Sequence, residues 1–262
     1  MKKNSTKKNS KPFLSLVIPV YNEEKHLNRF LEEIDKLKFS FPHELIFIDD
    51  CSKDSSYSIL NSFQFKSNFQ IFKQDKNQGK GAAIRRGFEV ALGDVIGVQD
   101  ADFEYDMKEI ASLIQPFLTE NADIVFGSRF RKENRQVHRT FHYLVNRFLT
   151  LVSNLLSGMY LSDMETCYKF FKADIIKNIH LESNRFGFEP EITAKIARLK
   201  AKIMELPISY YPRNYYEGKK ITWKDGVAAL RHLFVYNIIK GPKSYFKKEL
   251  PESYIPKTSN WL

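Results

Sequence analysis

At 262 residues the chain is long enough for one α/β catalytic domain with appendages and a large buried core. A hydrophobic content of 43%, with 22 Phe and 13 Tyr, excludes a disordered chain and places some rings on a surface. The net charge of +10 favours an anionic partner, whether phosphorylated substrate, acidic headgroup or nucleic acid, while Cys51 and Cys167 lack the spacing of structural zinc or of a disulfide framework and fit a reducing cytoplasm.

Residues 1–12 are rich in Lys, Asn and Ser with no apolar run, so they read as a disordered basic tail and not a signal peptide. Phe13-Leu-Ser-Leu-Val-Ile-Pro19 reads as a strand stopped by Pro19, and Leu27, Phe30, Leu31 and Ile34 space out a helix over 23–37. A second strand over 44–49 closes at Asp49 and Asp50, and Ser52-Lys-Asp-Ser-Ser56 supplies capping residues for the next helix. A third strand over 69–72, a helix over 80–92 and a strand from Asp94 to Gln99 follow. Beyond them come a helix over 107–118, a strand over 123–127 and a mobile basic loop, 128–139, with five arginines and lysines. The aromatic-rich segment 141–156 predicts a helix, with others over 189–199 and 222–239, and a late strand over 203–211 ends at Pro212. This alternation predicts a mostly parallel twisted sheet flanked by helices, with a ligand cleft at the carboxyl ends of the strands. The expected division is the tail, one domain over 13–220 with its acceptor-side loop and helix near 128–160, and a C-terminal amphipathic helix and tail over 221–262.

Asp100-Ala101-Asp102 follows a short apolar strand, and residues one apart on extended chain point the same way. At ~5 Å and an effective dielectric of ~20, two ionised carboxylates repel by ~3 kcal/mol, a cost a divalent cation reverses. Oxygen-only ligands suit Mg²⁺ or Mn²⁺, ions that also bind diphosphates. The plainer reading is a pair of turn or cap residues before the helix near Asp106. What favours the metal is company: Pro19-Val-Tyr-Asn-Glu23, Asp49-Asp50 and Asp100-Ala-Asp102 all end strands at one edge of the expected sheet.

These pieces, with Val17-Ile-Pro-Val-Tyr-Asn-Glu-Glu24, Phe47-Ile-Asp-Asp50, Asn77-Gln-Gly-Lys-Gly-Ala-Ala83, Asp100-Ala-Asp-Phe-Glu-Tyr-Asp106 and Gly127-Ser-Arg129, resemble the family-2 glycosyltransferases of GT-A fold. Within that family the likeness is to the branch of dolichol-phosphate mannose synthase and bacterial polyprenyl-phosphate sugar transferases, over residues 14–220. The resemblance implies that Pro19, Tyr21, Glu23 and Asp50 border the nucleoside of a nucleotide-diphosphate sugar, with Lys80, Ala82, Asp100 and Ala101 along the donor. It implies Asp100, Asp102 and Glu104 around the cation, although the mannose synthases often carry Gln where this chain has Glu104. It also implies Arg129 at an acceptor phosphate, and Arg213 with Lys219 closing over phosphates, where loop solubility is the alternative. Core packing is the alternative for Pro19 and Tyr21, as a solvated helix face is for Arg85 or Arg86.

The expected reaction is a metal-assisted, inverting, single-displacement transfer of a hexose, from a donor such as GDP-mannose or UDP-glucose to a polyprenyl or dolichyl phosphate. The alternative acceptor is a hydroxyl of a soluble compound or glycan, for which Asp163 or Glu165 would take the proton. Segments 141–156 and 222–239 suit either an acidic membrane surface or the core, and no window of about 20 apolar residues is present to span a bilayer. Cytoplasmic location, peripheral on a membrane for a lipid acceptor, is the matching expectation. A sugar nucleotidyltransferase would need a Gly-rich loop after the first strand, and a non-catalytic nucleic-acid binder leaves the acidic clusters unexplained, so no nucleic-acid partner is expected.

Overall fold

The computed structural model describes residues 14–131, 140–212 and 223–256. The strands among them are β1 (Leu14–Val20), β2 (His43–Asp49), β3 (Asn68–Lys73), β4 (Val95–Val98), β5 (Ile124–Ser128), β6 (Lys169–Lys172) and β7 (Ile203–Pro207). The helices are α1 (Glu24–Asp35), α2 (Ser56–Ser62), α3 (Lys80–Val90), α4 (Ile110–Thr119), α5 (Thr140–Ser157), α6 (Ala173–Ile176), α7 (Phe188–Ile196) and α8 (Trp223–Phe234), the last running on into a π-helical turn at Val235–Ile239.

The strands form one sheet in the order β3-β2-β1-β4-β6-β5-β7. All neighbours are parallel except β6, which runs antiparallel between β4 and β5. The fold is the expected GT-A arrangement, a mostly parallel sheet flanked by helices with further helices towards the C-terminus. Leu16, Ile18, Leu45 and Phe47 are buried completely, as near-continuous apolar strands covered on both faces must be. Described residues near the C-terminus return to this core: Leu250 and Tyr254 pack into it, and the Tyr254 hydroxyl donates to Asp123 at 3.2 Å.

Three sequence expectations differ from the structure. Pro19 lies inside β1 and does not stop it, because β1 pairs with β4 only as far as Val17 and the ladder on that side does not call on an N–H at Pro19. The late strand ends at Pro207, not Tyr211, and the backbone beyond crosses to the segment after β4, where Tyr210 bridges Tyr105. Strand β6 was not foreseen. Its reversed direction puts the residues just before it at the same edge as the carboxyl ends of β1, β2, β4 and β5.

Candidate active site

At the end of β4, Gln99 is fully buried and accepts a hydrogen bond from the Tyr168 hydroxyl at 2.6 Å, while its amide donates to the Asp100 carbonyl at 2.8 Å. The backbone of the Asp100-Ala101-Asp102 turn is thereby held against the first residues of β6. The Lys80 ammonium lies 2.9 Å from both Asp100 oxygens and 3.5 Å from Glu189. Burial alone would depress the Lys80 ammonium, but Asp100, Cys167 and Glu189 outweigh it and hold its pKa well above the ordinary lysine range. Asp102 is buried, with Oδ1 accepting the Glu104 N–H at 3.0 Å.

Among the described residues no three His, Cys, Asp or Glu side chains gather closely enough to hold one ion, and Glu104 accepts from the Tyr210 hydroxyl at 3.1 Å. Asp100 and Asp102 are nevertheless a fitting donor set for Mg²⁺ or Mn²⁺. Such ions are commonly held by one or two carboxylates and complete their shells with substrate phosphates and water.

At the end of β2, Asp50 takes hydrogen bonds from Gln74 (2.6 Å) and the Gln78 N–H (2.8 Å) on one oxygen, and from Asn77 (2.9 Å) and the Gly79 N–H (2.7 Å) on the other. A carboxylate accepts about four such bonds, so Asp50 is saturated. It holds the 74–79 loop at the end of β2. Gly79 adopts φ +97°, and a Cβ there would fall 2.4 Å from the Asn184 carbonyl oxygen, so only glycine suits the position. The Ala82 N–H donates to the same carbonyl at 3.1 Å. The Gln78, Gly79 and Ala82 amides are thus bonded within the protein, and Ala82 is buried at the start of α3. Ala101 is likewise buried.

Tyr21 and Glu23 are half-buried beyond β1, as Pro19 is at its end. The turn carrying them is stapled to the β2 side, with the Asn22 N–H on Ser52 (3.1 Å) and the Glu23 N–H on Ser56 (2.8 Å).

The segment before β6 holds the largest departure from expectation. Arg129 and Asp163, assigned to an acceptor phosphate and to proton transfer, form one buried ion pair: Nε and Nη2 of the guanidinium each lie 2.7 Å from a different Asp163 oxygen. Burial would raise the Asp163 carboxyl, but Arg129 overrides it and holds it below the ordinary range. Each group thus neutralises the other. Glu165 differs, with Oε1 sealed from solvent and without a hydrogen-bond partner. Burial first, then the charge of Glu189, push its carboxyl up to about 7. Arg213 and Lys219 lie outside the described residues.

Glu189 was missed by sequence reasoning. It stands in the first turn of α7, where an acidic residue reads as a partner of the helix dipole, and only the fold brings it to Lys80 and Glu165.

A family model described as glycosyl transferase family 2 matches residues 15–179. A dolichyl-phosphate beta-glucosyltransferase of Trichomonas vaginalis is 34% identical over 227 residues, covering 80% of this chain and 68% of its own length. A dolichol-phosphate mannosyltransferase of Pyrococcus furiosus is 26% identical, covering 84% of this chain and 62% of its own. Among solved structures, glucosyl-3-phosphoglycerate synthase from Mycobacterium tuberculosis, crystallised with Mn²⁺, UDP and glucosyl-3-phosphoglycerate, superposes with a TM-score of 0.67 at 18% identity over 88% of this chain and 81% of that one.

Proposed function

The chain belongs to glycosyl transferase family 2, and from that premise we propose that it moves a hexosyl unit from a nucleotide-diphosphate sugar to a hydroxyl acceptor, with Glu165 receiving the hydroxyl proton. The observation that carries this reading is the placement at one sheet edge of the Asp100 and Asp102 carboxylates, with Glu165, held near neutrality, coupled to them through Glu189 and Lys80. Mg²⁺ or Mn²⁺ held by Asp100 and Asp102 would neutralise charge on the departing nucleoside diphosphate. Lys80 adds a positive charge to the same site, and the Arg129–Asp163 pair locks the loop that presents Glu165. In-line attack by the acceptor inverts the anomeric carbon. The fold relative from Mycobacterium tuberculosis was also crystallised with UDP-glucose, Mn²⁺ and phosphoglyceric acid, which supports this donor class and a non-lipid acceptor. A screen of UDP- and GDP-hexoses with Mg²⁺ or Mn²⁺ tests the reading: metal-dependent nucleotide release is expected with one donor, and none with any donor would overturn it.

Glu165 accepts a proton only when ionised. Its carboxyl is pushed up to about 7, so turnover is expected to climb as pH rises through that value and to fall below it. Glu165→Gln is expected to lose about 10²–10⁴ in kcat and to lose this acid limb as well. A phosphate acceptor, ionised already, would leave the variant active and its pH profile unchanged.

That second reading, transfer to a polyprenyl phosphate, is favoured by one surface and by the names of the curated relatives. α5 exposes Leu144, Phe148, Leu151 and Leu155, and α8 with its π-turn exposes Val227, Phe234 and Ile238. The two helices pack through Leu149, Ala229 and Leu233, so these rows flank one seam, with exposed Arg147 and Arg231 beside them. Each helix thus buries one face in a core and leaves another bare. Among the described residues no helix is long and apolar enough to cross a membrane. Co-sedimentation with acidic phospholipid vesicles is expected to weaken about tenfold or more in a Phe148→Glu/Leu155→Glu variant, and equal binding by both proteins would discard this surface as a lipid contact.

A further inference from the structure

We infer that Lys80 is an internal counter-ion that yields Asp100 to an incoming dication by swinging to Glu189, which makes Glu189 a positioning residue for cation binding. The inference rests on the placement of the cation at Asp100 and Asp102 argued above.

The geometry prepares the exchange. The ammonium has three protons, and with both Asp100 oxygens at 2.9 Å a third remains to point at Glu189, 3.5 Å away. The Lys80 side chain has 17% exposure and that of Glu189 has 7%, so neither group has bulk water as an easy alternative partner. The backbone beneath them is fixed. A Cβ on Gly81 would meet the Ser183 carbonyl oxygen at 2.3 Å, and Arg85 donates to the Leu181 carbonyl (3.1 Å) and to Asn184 (2.8 Å). These contacts clamp the start of α3 to segment 181–185, which leads directly into the α7 turn bearing Glu189. Only the lysine side chain has to move, and by rotations alone.

Charge favours the same motion. Asp100 and Glu189 both face the Lys80 ammonium with negative charge. With a dication on Asp100 and Asp102 those two carboxylates are neutralised, and Lys80, now repelled from Asp100, balances Glu189. Without Glu189 the displaced ammonium would stay beside the metal, in a partly buried site, and oppose it.

Mn²⁺ binding to the full chain, followed by loss of the free-ion electron paramagnetic signal, tests this without turnover. Glu189→Gln is expected to weaken Mn²⁺ binding about fivefold, and Lys80→Met to tighten it by a similar factor because the competing ammonium is gone. The double variant is expected to bind as Lys80→Met does, since Glu189 acts only through Lys80. Each protein's melting transition is recorded beside the titration, and a Lys80→Gln variant replaces Lys80→Met if the latter fails to fold. Opposite signs and non-additivity would not arise from a merely structural role. Weakening by both substitutions, or additive effects, would overturn the exchange while leaving the cation site in place, whereas absence of Mn²⁺ binding to the unaltered chain would overturn the site itself.

Discussion

Asp102→Asn is expected to lower metal-dependent nucleotide release by about a hundred- to a thousandfold while leaving the melting temperature close to that of the unaltered protein. The amide keeps the shape of the carboxylate, and its oxygen still accepts the Glu104 N–H that now reaches Oδ1 at 3.0 Å, so this contact of the turn after β4 is retained. The charge is what disappears. Asp100 already shares its two oxygens with Lys80, so a dication facing Asp100 and an amide would meet one shared negative charge in place of two. Nucleotide release, Mn²⁺ titration and a thermal melt on the same preparation separate the possibilities. Loss of release with normal folding and weaker Mn²⁺ binding is the expected pattern, and normal release would remove Asp102 from the catalytic apparatus.

The strands leading to Asp102 were legible because their physics is local. Buried parallel strands are short apolar runs, and β1, β2 and β4 lie within one or two residues of their expected bounds, with polar clusters where each run stops. Strand β6 was not legible, since Lys169-Phe-Phe-Lys172 is four residues flanked by lysines, yet Lys169 is fully buried with its ammonium bonded to the Met164 and Thr166 carbonyls. Missing that reversal hid why the 163–168 segment returns to the cleft. The roles of single acidic residues were hidden for the same reason. Asp50 is saturated by partners 24 to 29 positions away, and Asp163 meets Arg129 across 34, so neither pairing shows in a local motif. Sequence position identified which acids reach the edge of the sheet. Only tertiary contact separates those already spent on the fold from those available for chemistry.

Asp163→Asn is expected to cost about 3–5 kcal/mol of stability. The variant keeps the size of the side chain but leaves the Arg129 guanidinium, only 8% exposed, without its counter-charge in a site closed to water. The backbone N–H of Arg129, which donates to Asp163 Oδ2 at 3.0 Å, and the Asp163 N–H, which donates to Glu205 at 3.0 Å, tie β5 and β7 to the same loop, so the loss spreads beyond the pair. The sign with pH follows from the depressed Asp163 carboxyl. Its stabilising contribution is complete above the ordinary carboxylate range and is lost as pH falls through its lowered folded-state value. Urea unfolding at several pH values should therefore show the two proteins far apart near neutrality and drawing together in acid. Replacing both partners by apolar residues should recover much of the loss, because the penalty lies in the unpaired charge and not in the absence of the pair. If Asp163→Asn unfolds within about 1 kcal/mol of the parent near neutrality, the ion pair is not what holds the loop, and the placement of Glu165 would need another support.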